Sequence, residues 1–252
     1  MNILYLKINK HGVGNTICNI IILLIWILKS KKYDKLVVIN WKNRIDLFDR
    51  YCIEIKNDLF EFININSRIS KGCLTLKQFL KLNFGGEILN YLNQSPNELT
   101  DIYFHYLKAA KDDLILVKKY FDLQPNKLIN DIINKIKNDI GDYISIHIRS
   151  TDLIPDWKIN KTINAYYEFI DKNKNKKIYL ATDCQKYQKL FKDKYQSRLY
   201  YYENINDNSV IKRNTSHISI YIDLFICRDS NDFLGTKKST FTQLIKILRF
   251  FK

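Results

Sequence analysis

With 252 residues, of which 46% are hydrophobic, the chain has a globular composition and can bury one large core or two smaller ones. Lys+Arg 41 against Asp+Glu 26 gives a formal net charge of +15, which favours an anionic partner such as a nucleotide, a phosphate, a nucleic acid or an acidic surface, although the Lys excess accompanies the Asn and Ile of an AT-rich coding sequence. The cysteines (Cys18, Cys52, Cys73, Cys184, Cys227) are odd in number and none stands in a Cys-x-x-Cys pair, which argues against a zinc site and for buried thiols in a reducing compartment.

Met1 to Ile8 reads as a first strand, and His11-Gly12-Val13-Gly14-Asn15 as a glycine turn leading into a helix from about Thr16 to Lys29. That helix is apolar nearly all round and is expected to be buried. Ile17 occupies the third glycine position of a dinucleotide fingerprint, and no Gly-Lys-Ser/Thr follows as in a Walker loop. Gly12 and Gly14 permit a tight turn, while Asn15 suits either a ligand contact or a helix N-cap. The chain opens on a strand instead of a basic leader, and the apolar run from Ile17 to Leu28 falls short of the ~20 residues of a membrane span, so a cytoplasmic protein without an anchor is expected.

A second strand follows at Lys35 to Ile39. Beyond it the pattern breaks into short pieces, with strands at Cys52 to Ile55 and Phe60 to Ile65 and a helix near Leu74 to Leu82. Glu98 to Tyr120 and Asn126 to Ile140 are amphipathic helices, and Pro125 between them is the predicted boundary of two domains, 1–125 and 126–252. From Gly141 strands and helices alternate. The strands are Tyr143 to Ile148, Lys177 to Thr182, Leu199 to Tyr202 and Phe233 to Gly235; the helices are Ile159 to Asn173, Cys184 to Tyr195, Ile218 to Cys227 and Ser239 to Phe250. Such alternation specifies an α/β domain whose parallel sheet is covered on both faces.

The strand Tyr143 to Ile148 carries the chemistry. In an open parallel sheet ligands lie beyond the carboxyl ends of the strands, where His147, Arg149 and Asp152 fall. Arg149 suits a phosphate, because a planar guanidinium grips two oxygens and neutralises a leaving group; the bland alternative is a surface arginine paired with Asp152. A lone histidine in such a strand is more often a satisfied core residue.

His147-Ile148-Arg149-Ser150-Thr151-Asp152 fits His-x-Arg-x-x-Asp and resembles the first motif of the fucosyltransferase superfamily, which includes the α1,2-, α1,6- and protein O-fucosyltransferases. Ile178-Tyr179-Leu180-Ala181-Thr182-Asp183 resembles that family's second strand, and Asp223 with the stretch from Asp232 to Thr242 its third motif, in the correct order. The resemblance implies a GT-B-like fold of two Rossmann-type domains facing a cleft, the N-terminal one reduced, and an inverting transfer of L-fucose from GDP-fucose to a glycan or other hydroxyl acceptor. Gly12, Gly14 and Asn15 then match the family's opening turn across the cleft from the sugar-nucleotide. Asp223 matches the acid that accepts from the guanine N–H groups, with His147 and Asp183 around base and ribose; Asp183 could equally be the N-cap of the next helix.

Ser239, Thr240, Phe241 and Thr242 open the last helix, whose first-turn amides suit a phosphate and whose hydroxyls either add donors or cap the helix. Arg149 and this helix would hold the β-phosphate as its charge grows. Asp152 and Asp156 are the candidate bases for the acceptor hydroxyl. The chain has no Asp-x-Asp triplet, so no metal or other cofactor is expected beside the donor substrate. Departures from the family are Ser150 where members with paired arginines have a second Arg, and Leu153 where the α1,6 enzymes have Lys. Two other readings stand beside this one: a degenerate transferase that binds sugar-nucleotide or glycan without turnover, and a basic nucleic-acid-binding protein using tyrosines such as Tyr200-Tyr201-Tyr202 for stacking.

Overall fold

The structure, a computed structural model, describes residues 3–8, 13–31, 34–40, 53–55, 60–64, 74–75, 111–149, 159–202, 217–237 and 239–252. The chain divides into two compact units, Met1–Gln124 with Phe251 and Pro125–Phe250 with Lys252.

In the first unit the strands are β1 (Ile3–Ile8), β2 (Lys35–Asn40), β3 (Ile53–Ile55), β4 (Phe60–Asn64) and β5 (Leu74–Thr75). Four of them form a parallel sheet in the order β4-β2-β1-β5. Helix α1 (Val13–Ser30) packs against α2 (Lys111–Lys118). Val13, Ile17, Cys18, Ile20, Ile21, Leu24, Ile25 and Ile27 of α1 are all buried, so apolar residues around most of its circumference are covered, as its composition requires. Two expectations are corrected here. The helix starts at Val13, three residues earlier than predicted, which places Gly14 and Asn15 inside its first turn and rules out Asn15 as the N-cap. Leu74 and Thr75, predicted helical, extend beside Leu6 and Lys7 of β1, because pairing with a central strand overrides local propensity. The long helix predicted from Glu98 is described only over α2.

The second unit follows the short strand β6 (Leu123–Pro125) and contains α3 (Lys127–Ile140), β7 (Tyr143–Ile148), α4 (Ile159–Asp171), β8 (Lys177–Thr182), α5 (Gln185–Tyr195), β9 (Leu199–Tyr200), α6 (His217–Asp229), β10 (Phe233–Gly235) and α7 (Thr240–Phe251). Helix α3 is capped at both ends. The Asn126 side chain accepts from the Ile129 N–H at 3.0 Å, and Gly141 closes it at φ 70, a left-handed conformation that costs glycine little. The predicted strand through Tyr202 ends at Tyr200.

The sheet is parallel throughout, in the order β10-β7-β8-β9. Alternation along β7 divides its two faces by chemistry. Ile144, Ile146 and Ile148 join Ile178 and Leu180 of β8 under Ile163, Tyr166 and Ile170 of α4 and Tyr187 and Phe191 of α5, forming the apolar core. Tyr143, Ser145 and His147 point the other way and each meets a polar partner. The Tyr143 hydroxyl donates to the Ile226 carbonyl at 2.9 Å, Ser145 shares a bond of 2.6 Å with Ser230, and His147 meets Thr242 at 2.7 Å.

Candidate active site

The chain runs outward from β7 through β8 to β9 and then returns to β10 on the far side of β7, so the strand order reverses between β7 and β10. Reversal opens a crevice at the carboxyl ends of the two strands. His147 stands in register with Gly235 there, and the Thr236 N–H donates to the His147 carbonyl at 2.9 Å. The Thr236 hydroxyl accepts from the Arg149 N–H at 2.8 Å and lies 3.1 Å from the His147 carbonyl. Tyr166, rising from α4, places its hydroxyl 3.0 Å from both that carbonyl and the Thr236 hydroxyl. The backbone that launches Arg149 is thus fixed on two sides.

Arg149 Nη1 lies 2.8 Å from Asp183 Oδ2, joining the ends of β7 and β8. Asp152, offered as the partner in the bland alternative of a surface pair, lies outside the described residues. The alternative of Asp183 as a helix cap is also overturned: the N-cap position of α5 is Cys184, and the Asp183 carboxylate serves Arg149.

His147 is buried, with Nδ1 on Thr242 Oγ1 and its ring 5.0 Å from that of Phe241. Burial, helped by the Arg149 charge and opposed by Asp183, brings its pKa down to about 4, so the imidazole is neutral at neutral pH.

The first turn of α7 sits over this strand end. Ser239 is its N-cap and accepts from the Thr242 N–H at 3.4 Å. Thr242 is 1% exposed, with its hydroxyl 2.7 Å from His147 Nδ1. Thr240 and Phe241 remain half-buried at the start of the helix. Gly235 explains how α7 comes so close: a Cβ there would fall 2.5 Å from Thr242 Cγ2.

Asp223 projects from α6 toward β8, on the same helical stripe as the buried Ser219 and Cys227. Its Oδ1 accepts from the Tyr179 hydroxyl at 2.7 Å. Burial pushes its carboxyl up to about 8, against the pull of that hydrogen bond. Tyr179 pairs with Ser145, two residues before the His147 level, so Asp223 sits deeper than Arg149.

His147, Arg149, Asp183, Ser239, Thr240, Phe241 and Thr242 therefore meet at one strand end, with Asp223 below them. Gly14 and Asn15 belong to the first unit, and Gly12, Asp152 and Asp156 lie outside the described residues. Among the described residues no cluster of three His, Cys, Asp or Glu could hold a metal ion, and no helix is long and apolar enough to cross a membrane. Sequence reasoning missed Tyr166, Thr236 and Tyr179. Tyr179 shares strand parity with Ala181 and Asp183, and that was the available signal.

A parallel sheet wound on both faces, with a charged site where its strand order reverses, defines a doubly wound α/β unit. Among solved structures the chain is similar to the fucosyltransferase NodZ from Bradyrhizobium, at 12% identity and a TM-score of 0.61 over 98% of this chain and 94% of that one. It is similar to NodZ alpha-1,6-fucosyltransferase soaked with GDP-fucose (12% identity, TM-score 0.59, 98% and 92% covered) and to POFUT1 in complex with GDP (11%, 0.56, 99% and 95%). The chain thus shares the GT-B-like α/β fold of these structures. No family profile and no curated protein matches its sequence.

Proposed function

We propose that the protein is an inverting glycosyltransferase that moves L-fucose from GDP-fucose to a hydroxyl acceptor, without a metal ion. The observation that carries this reading is the Arg149 guanidinium, paired with Asp183 at the crevice where strand order reverses, on a backbone fixed by Thr236. The names of similar structures support it, since NodZ was soaked with GDP-fucose and POFUT1 carries GDP.

The bond between the anomeric carbon and the β-phosphate oxygen breaks, and GDP leaves with the electron pair. Negative charge grows on that phosphate, so a guanidinium and the first-turn amides of α7 stabilise the transition state more than the ground state. The acceptor oxygen bonds to the opposite face of the anomeric carbon and its proton passes to a base, for which Asp152 and Asp156 are the candidates. Asp223 accepts from the guanine N–H groups, with neutral His147 and Asp183 near base and ribose.

Titration calorimetry with GDP and GMP in EDTA, on the wild type and Arg149→Ala, tests the reading. GDP binding that survives chelation, exceeds GMP binding and falls at least tenfold in the variant supports it; product from GDP-fucose and an acceptor then separates turnover from binding alone. Absence of GDP binding overturns it.

A further inference from the structure

We infer that Tyr179 is a positioning residue for base recognition, anchoring one oxygen of the Asp223 carboxyl so that the other is presented to a purine edge with two adjacent N–H donors. The inference rests on the proposed nucleotide site and adds to it a residue without any ligand contact of its own.

The geometry is that of a single anchor. Tyr179 and Asp223 are both buried, and their bond of 2.7 Å ties one oxygen of the carboxyl in place. Oδ2 makes no hydrogen bond among the described residues. The only fully enclosed polar side-chain atom without a partner among them is Tyr195 Oη, so Oδ2 retains an opening to solvent. A carboxyl tethered at one oxygen and open at the other is a receptor for a donor edge.

The neighbouring charges do not perform this task. Lys137 from α3 is taken by Asp229, and Arg249 from α7 serves the carbonyls of Cys227, Arg228 and Ser230. Tyr143 from β7 donates to Ile226, and Cys227, one turn along α6, is a buried thiol whose pKa is raised by burial. Without a cation the carboxyl is neutral at neutral pH, as its upward shift to about 8 indicates. A ligand that donates two N–H groups favours the charged form and expels the proton. Tyr179, donating to the same carboxyl, makes that ionisation easier.

The test compares GDP with IDP, which lacks the 2-amino group, on the wild type, Tyr179→Phe and Tyr195→Phe across pH 6 to 9. The wild type is expected to prefer GDP by about tenfold or more, in keeping with a charge-assisted hydrogen bond. In Tyr179→Phe the GDP-to-IDP preference should shrink several-fold and the pH at which GDP affinity is half developed should rise. Tyr195→Phe, which loses a buried hydroxyl on the other face of the sheet, should alter neither. Wild-type calorimetry at pH 7.5 in buffers of different ionisation heat should show release of more than half a proton on GDP binding, a measurement that does not depend on either variant folding. GDP binding with no proton release, or with preference and pH midpoint unchanged in a folded Tyr179→Phe, overturns the inference and leaves the transferase reading standing. A wild type that binds no GDP overturns both.

Discussion

The Arg149 guanidinium and the Asp183 carboxylate lie 2.8 Å apart, one at the end of β7 and the other at the end of β8, and Asp183 is the more deeply buried of the two. Removing the arginine therefore takes a cation away from a buried carboxylate. Arg149→Ala is expected to cost about 2 kcal/mol of stability, discounted for the partial exposure of the pair. Adding Asp183→Asn should restore part of that loss while leaving GDP binding weakened. Denaturant unfolding and calorimetry on the two single variants and the double variant would check both halves; restored GDP affinity in the double variant would remove Arg149 from the phosphate site.

Asp223 and His147 pull the stability of the fold in opposite directions along the pH axis. The Asp223 carboxyl, raised to about 8, contributes stability that is full below the ordinary carboxylate pKa near 4 and is lost as pH climbs through 8. His147, lowered to about 4, contributes stability that is full above about 6.5 and is lost as pH falls through 4. Asp223→Asn keeps an acceptor for Tyr179 and should abolish the decline on the alkaline side, worth on the order of a few kcal/mol. Melting temperature against pH for both proteins decides it, and parallel curves from pH 5 to 9 would contradict the assignment.

Gly235→Ala should be destabilising by about 1–3 kcal/mol, because the new methyl meets Thr242 Cγ2 at 2.5 Å and Oγ1 at 2.6 Å. The clash pushes on the side chain that holds His147. A shift of the His147 ring signals by NMR in the folded variant is the second expected sign, and unchanged signals with full stability would show that α7 can retreat from β10 freely.

Arg249 supplies the contrast. Its guanidinium donates to the carbonyls of Cys227, Arg228 and Ser230 at 2.7–3.1 Å, closing the end of α6. Arg249→Met keeps the aliphatic stem and loses those bonds, at an expected cost of about 2 kcal/mol. GDP affinity of the folded fraction should be unchanged, since this corner lies at the end of α6 that adjoins β10's start, away from Arg149.

Much of the second unit was legible because its elements are regular and locally punctuated. Lys177–Thr182 and Phe233–Gly235 fall where the run of β-favouring residues places them, and Asn126, Gly141 and Ser239 mark helix ends by side-chain chemistry that acts within a few residues. What the chain could not disclose is which distant groups share a hydrogen bond. Arg149 finds Asp183 at the end of β8, and Thr242 meets His147, 95 residues away, because the register of β7 against β8 and β10 brings these groups together. Val13–Ser30 began early for a related reason: Gly14 is a poor helix former, and burial of the helix outweighs that local cost.

The two faces of β7 also differ in how freely the sequence beneath them can be rewritten. On the Ile144-Ile146-Ile148 side, one aliphatic side chain replaces another at small cost so long as volume is kept. On the Tyr143-Ser145-His147 side every residue is answered by a specific atom on α6, on α7 or just after α6, so a change at one position orphans its partner at another. A lineage drifting toward isoleucine, lysine and asparagine can overwrite the first side while the second must change in pairs or stay as it is.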